Sequence, residues 1–124
     1  MSKKEKEILK RLERLRIELL KYCHTDNCEA LEEDPSLHEK CAKNLGLDTS
    51  IAWEAARLLY RLDTEHYSRG WIPFPLLDIV KRSMLTLCLV VGRHKAQYPG
   101  LYGLLDTAYA RLEELMNYLG EVGQ

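Results

Sequence analysis

The sequence predicts an all-α protein, a compact bundle of about five helices packed around a central apolar helix at residues 75–91. Three observations predict it. Leucine occurs 23 times, against nine valines and isoleucines together; γ-branched side chains keep rotamer freedom in a helix, whereas β-branched ones favour strands. Apolar residues recur at steps of three and four over long stretches, the period of a helix with one buried face. Gly46, Gly70, Gly92 and Gly120 fall at the ends of those stretches, as helix stops do. With 124 residues, the chain is sized for one domain that buries about two thirds of its extended surface. We place that domain at residues 1–120, with a short tail at 121–124.

The first helix is expected from about Lys3 to Tyr22. Ile8, Leu12, Leu15, Leu19 and Tyr22 form a heptad seam facing one partner surface. Lys3, Lys10, Arg14 and Lys21 lie outside it and read as a solvated face. The same seam offers a homodimer contact through residues 8–22. A short second helix is expected from Asp34 as N-cap and Pro35 at the first helical position to Gly46, with Leu37, Cys41 and Leu45 on its apolar face. The third helix begins near Asp48, Thr49 or Ser50 and reaches about Tyr67, striped by Ile51, Ala55, Leu58 and Leu62, with Gly70 as its stop. A stiff aromatic loop, Arg69 to Pro75, follows. The fourth helix runs from Pro75 to Gly92. Between Leu76 and Val91 only Asp78, Lys81, Arg82, Ser83 and Thr86 are polar, which predicts a helix in the middle of the bundle. The fifth helix, about Pro99 to Leu119, carries Leu101, Leu105, Ala108, Leu112, Leu115 and Leu119 on one face, with Gly120 as its stop.

Charge separates function classes. The formal net charge is −1, which argues against a strongly basic coat for nucleic acid. It conceals an uneven distribution. Residues 1–22 hold eight basic and four acidic side chains, residues 23–50 two and seven, and residues 70–100 four and one. Nucleic-acid contact is therefore confined to local basic patches. The N-terminus lacks the apolar stretch of a signal peptide, and no apolar run approaches the roughly 18 residues of a membrane span, so the expected location is cytoplasmic with no membrane contact. Asn and Gln total five while Glu and Lys total 22, a thermophile-like bias.

Four clusters are candidates for chemistry or binding. Cys23 and Cys28 are spaced C-x4-C, and His38 and Cys41 sit one helical turn apart. Three thiolates and an imidazole suit tetrahedral zinc, so Cys23, Cys28, His38 and Cys41 are the candidate metal ligands, with His24 as a substitute. A disulfide among the cysteines, or plain thiols and no cofactor, are the alternatives. Cys88, inside the apolar fourth helix, is expected to pack as a small hydrophobe. Arg93, His94, Lys95 and Tyr98 form a cationic turn suited to phosphate contact and base stacking, and Lys81 and Arg82 would extend it. The bland reading of this turn is a cationic helix C-terminus compensating carbonyls without partners. Trp71, Ile72 and Phe74 either plug one end of the bundle or receive a partner, with Trp71 as an interface anchor and inward packing as the expected fate. Trp53 is expected to help close the bundle.

Arg61 and His66 fit an R-x4-H spacing that resembles the R-x4-6-H motif of HEPN ribonucleases, which are helical bundles. The resemblance implies a metal-independent RNase in which Arg61 binds phosphate and His66 is the acid–base group. Leu62 replaces the usual polar residue after the arginine, and a helix-end histidine complementing the macrodipole is the plainer reading. Glu54 to Tyr60 followed by Arg69-Gly70 resembles a cyclin-like repeat of a general transcription factor, which implies five helices around a central one. The sequence contains no P-loop, dinucleotide fingerprint, nucleophile elbow or H-E-x-x-H motif. The leading expectation is a small non-catalytic binding or regulatory module for a protein or nucleoprotein partner. The alternatives are the HEPN-like RNase and a structural zinc domain.

Overall fold

Each stretch of helical periodicity in the described residues forms a helix in the computed structural model, which describes residues 3–22 and 47–121. The helices are α1 (Lys3–Lys21), α2 (Leu47–Arg69), α3 (Phe74–Gly92) and α4 (Pro99–Glu121). The described residues thus give four helices where the sequence predicts about five; the expected short helix at 34–46 lies outside them. No strand occurs among the described residues.

Contacts at both ends of each helix fix the topology. At one end of the bundle, the Thr49 hydroxyl at the start of α2 donates to the Tyr22 carbonyl just after α1, at 3.1 Å. Tyr22 also meets the start of α4, where a Cβ added to Gly100 would lie 2.8 Å from its hydroxyl. At the other end, Lys4 of α1 lies over the ring of Tyr118 near the end of α4. α1 is therefore antiparallel to both α2 and α4. α3 and α4 are also antiparallel, since Gly92 approaches Tyr102 while Lys81 reaches Met116. The four helices form an up-down-up-down ring in which each packs on its two neighbours and the diagonals barely touch.

The core fills the ring. Ile8, Leu12 and Leu19 from α1, Ile51, Ala55 and Leu62 from α2, Leu77, Val80 and Met84 from α3, and Leu105, Leu112 and Leu115 from α4 are all buried. The small Ala52, Ala55 and Ala56 of α2 are buried as well and allow close helix approach. A buried leucine stabilises the fold by roughly 1.5–3 kcal/mol before chain entropy is subtracted. The α1 seam, through which residues 8–22 were expected to offer a dimer contact, turns toward the core, with Leu15 and Tyr22 partly buried against it. Ile8, Leu12 and Leu19 retain almost no surface for a second copy.

The position of the 75–91 helix is the second correction. α3 is a member of the ring, not its axis, and the resemblance to a cyclin-like repeat loses its central helix with it. Leu76, Leu77, Val80, Met84, Cys88 and Val91 point inward, while Ile79, Leu85 and Leu89 stand in solvent at 55%, 39% and 62% exposure. High apolar content marked this helix as wholly buried; a ring of four leaves every helix one outer face.

The turns follow local chemistry. Gly70 adopts φ +77°, the left-handed conformation that glycine reaches without steric cost, and its N–H donates to the His66 carbonyl at 2.8 Å, closing α2. Pro75 occupies the first turn of α3, where its missing N–H leaves no bond unmade. α4 passes through Gly120 to Glu121 instead of stopping there, so the 120/121 boundary falls inside a helix. No helix among the described residues is long and apolar enough to cross a membrane.

Candidate functional site

α3 ends in a turn built by its own backbone. The His94 N–H donates to the Val91 carbonyl at 2.8 Å, and the N–H groups of Gln97 and Tyr98 both donate to the His94 carbonyl. This chain of bonds carries the strand of backbone from α3 to α4 and turns Arg93, His94 and Lys95 outward, all exposed. Lys95 Nζ lies 4.9 Å from the centre of the Tyr102 ring on α4, a cation–π contact that holds one charge beside the turn. Tyr98 is half-buried against the core, and its carbonyl accepts from Tyr102 N–H. Arg93, His94 and Lys95 are thus at the surface, whereas Tyr98 is partly buried against the core. Lys81 does not extend the patch, because its ammonium sits 5.6 Å from the centre of the Tyr109 ring and 3.9 Å from Met116 Sδ.

A groove of about 550 Å³ runs from this turn along the α3–α4 seam. Leu85, Cys88, Leu89, Tyr102 and Tyr109 supply its apolar wall, and Arg93 and Asp106 its charges. Exposed Ile79 lies on the other flank of α3, about 120° around the helix from Leu85, with Arg82 between them, paired with Asp78 at 3.1 Å across one helical turn. Cys88 is a buried free thiol at the groove floor. Burial, with a smaller contribution from the Asp106 carboxylate, pushes its pKa from 9.0 up to about 11. The thiol therefore stays protonated at neutral pH and packs as a hydrophobe, as the sequence predicts.

The aromatic loop divides. Ile72 is completely buried and plugs the α2–α3 end of the bundle, whereas Trp71 and Phe74 remain 49% and 41% exposed. This corrects the expected inward packing of the whole loop and leaves Trp71 at the surface. The loop and the cationic turn lie at opposite ends of α3, about 27 Å apart along a 19-residue helix. The fold does not bring them together. Trp53, by contrast, is partly buried against the core with Arg57 over its ring.

Arg61 and His66 share α2, but five residues turn a helix by about 500°, so the two side chains leave it some 140° apart. Arg61 is exposed, while the Nε2 atom of His66 is shielded from solvent and makes no hydrogen bond within the described residues. The candidate zinc ligands Cys23, Cys28, His38 and Cys41, with His24, lie outside the described residues. Among the described residues no three His, Cys, Asp or Glu side chains cluster as a metal site.

One feature of α1 escaped the sequence reading. Arg16 is buried, with a side-chain nitrogen 3.2 Å from Asp63 of α2 and its guanidinium 5.1 Å from the centre of the Tyr60 ring. The only signal was its placement one helical turn past Leu12 on the inward side. No family model, curated protein or solved structure matches this chain.

Proposed function

We propose that the chain is a non-catalytic binding module that engages a protein or nucleoprotein partner through the cationic turn at Arg93, His94 and Lys95 and the apolar strip beside it. The observation that supports this reading most strongly is the outward display of Leu85 and Leu89 beside the groove, on a helix that ends in those cations. A strip of large apolar side chains leading into fixed charge has the anatomy of a recognition surface, in which the apolar part supplies affinity and the charge supplies orientation. The complementary partner surface is acidic beside an apolar anchor. The turn is small and the net charge is −1, so a bare nucleic acid finds few phosphate contacts, and a protein surface is the better match.

The test is quantitative affinity capture from the native host, with wild-type chain and the exposed-turn variant His94→Glu/Lys95→Glu as baits. The reading expects proteins enriched on wild type by roughly tenfold over the variant, the loss expected when about 1.4 kcal/mol of charge complementarity is reversed. Equal capture by two equally folded baits contradicts it.

A further inference from the structure

We infer that the outer face of α1, together with a line of aromatic rings on α2 beside it, binds single-stranded nucleic acid. This surface is separate from the cationic turn and the α3–α4 groove, so the inference goes beyond the reading given for them. Three observations carry it.

The first is a stripe of cations. Lys3, Lys10, Arg14 and Lys21 follow one another at steps of seven, four and seven, which places them within about 40° on α1. All four are exposed. Exposed Lys6 stands about 60° from them, on the side where Leu9 and Glu13 meet α2. Lys3, Lys6, Lys10 and Arg14 make no ion pair among the described residues, while Lys21 pairs with Glu18 at 2.8 Å. Of the acidic residues of α1, Glu5 and Glu13 are half-buried, and exposed Glu7 and Glu18 border the stripe on the side away from α2. A solvated helix usually alternates the sign of its charges along one face; this face keeps one sign over about 27 Å.

The second is the aromatic line. Trp53, Tyr60 and Tyr67 recur every seven residues on α2, each step returning to within roughly 20° of the last. The line faces α1, since the Arg16 guanidinium lies 5.1 Å from the centre of the Tyr60 ring. Tyr67 lies seven residues past that contact on an antiparallel helix, which brings it about level with Leu9, between Lys6 and Lys10. Its side chain is 92% exposed. Trp53 and Tyr60 are partly buried, each with an arginine against its ring. The nearby carboxylates of α2 are already paired, Asp63 with Arg16, Glu54 with Arg57 and Glu65 with Arg69.

The third is the fit of these two rows to one ligand. A single strand lays its phosphates along cations and stacks its bases on rings. At about 3.4 Å per stacked nucleotide, α1 spans about eight nucleotides, and one heptad on α2, about 10.5 Å, spans about three. A duplex keeps the faces of its bases covered and leaves Tyr67 without a partner. An acidic polypeptide satisfies the cations and offers no bases to the rings.

Fluorescence anisotropy with labelled oligo-dT and oligo-rU of about twelve nucleotides, and a duplex of the same length, tests the inference from about 50 to 200 mM salt. Binding of one or both strands is expected, and the tighter of the two names the sugar. Four phosphate contacts predict that log K falls against log salt with a slope of about −3. Lys10→Glu/Arg14→Glu is expected to weaken binding at least tenfold and to halve the slope. Tyr67→Ala is expected to weaken it by roughly tenfold with the slope unchanged, and Tyr67→Phe to keep the affinity. These positions are exposed, so the helical spectrum of each variant should match wild type. His94→Glu/Lys95→Glu, on the other surface, is expected to change the affinity less than about threefold. No binding of either strand at the lowest salt, or affinity indifferent to Lys10→Glu/Arg14→Glu or to Tyr67→Ala, overturns the inference. So does a duplex bound as tightly as a strand, or binding abolished only by the variant at His94 and Lys95.

Discussion

α1 and α3 are both 19 residues long, and both turn a similar set of side chains into the core. Their outer faces differ. α1 presents Lys3, Lys10, Arg14, Glu18 and Lys21 to water, all exposed. α3 presents Ile79, Leu85 and Leu89. The interior of a four-helix ring needs one apolar stripe per helix, and α1 supplies that and little more. α3 supplies the stripe and then more apolar surface than the ring can cover. Stability of the fold accounts for the apolar stripe of α1; α3 carries side chains whose burial the fold does not achieve alone. The difference separates what the chain needs in order to fold from what it displays.

The comparison first requires that the inward faces be equivalent. Leu19→Asp on α1 and Leu77→Asp on α3 each force an unpaired charge into the core, and each is expected to abolish the cooperative thermal transition seen by circular dichroism. Survival of either variant would mean that its helix is not part of the ring.

The α3–α4 side is then expected to lose stability in alkali through Cys88. The Cys88 thiol ionises at about 11 in the folded chain and at about 9.0 when exposed. The folded value is the higher, so its contribution is complete below pH 9 and is lost as pH rises toward 11. The unfolded chain releases its proton first in that window. The loss amounts to about 2–3 kcal/mol. Denaturant melts of wild type and Cys88→Ala from pH 8 to 11 isolate it, and the stability difference between the two proteins should shift across that interval. A constant difference would show the thiol to be solvated.

Smaller effects are expected at the α1–α2 charge pair. Asp63→Ala leaves Arg16 buried without its carboxylate and is expected to cost about 1–2 kcal/mol, reduced from the fully buried case because Asp63 is half exposed. Arg16→Met, which removes the charge and keeps the bulk, is expected to be nearly neutral. Equal losses in urea melts would make the Arg16–Asp63 pair itself, not the burial of the arginine charge, the source of stability. The smallest effect is expected on the outer face of α3. Leu89→Ser should change stability by less than about 0.5 kcal/mol, measured in urea melts.

Much of the fold was legible in the sequence because helical period encodes direction. Leu101, Leu105, Ala108, Leu112, Leu115 and Leu119 are buried as their spacing predicts. Gly70 and Pro75 mark real boundaries because their backbones restrict what a helix can do there. Hydropathy failed for α3, since a count of apolar side chains does not say whether the surface covering them belongs to the same molecule. It failed for Arg16 because a long side chain is buried or not according to a partner 47 residues away. At the candidate site, the outward Arg93, His94 and Lys95 follow from charge alone. The inward turn of Tyr98 does not, because a tyrosine suits both core and surface. Trp71 and Ile72 are neighbours with opposite fates, decided by the direction in which the chain leaves Gly70.

The most direct test of the outward-facing α3 is methyl NMR with a soluble paramagnetic agent. The account predicts strong broadening at Ile79, Leu85 and Leu89 and protection at Leu77, Val80 and Met84. Uniform protection along α3 would return this helix to the centre of the molecule and contradict the account.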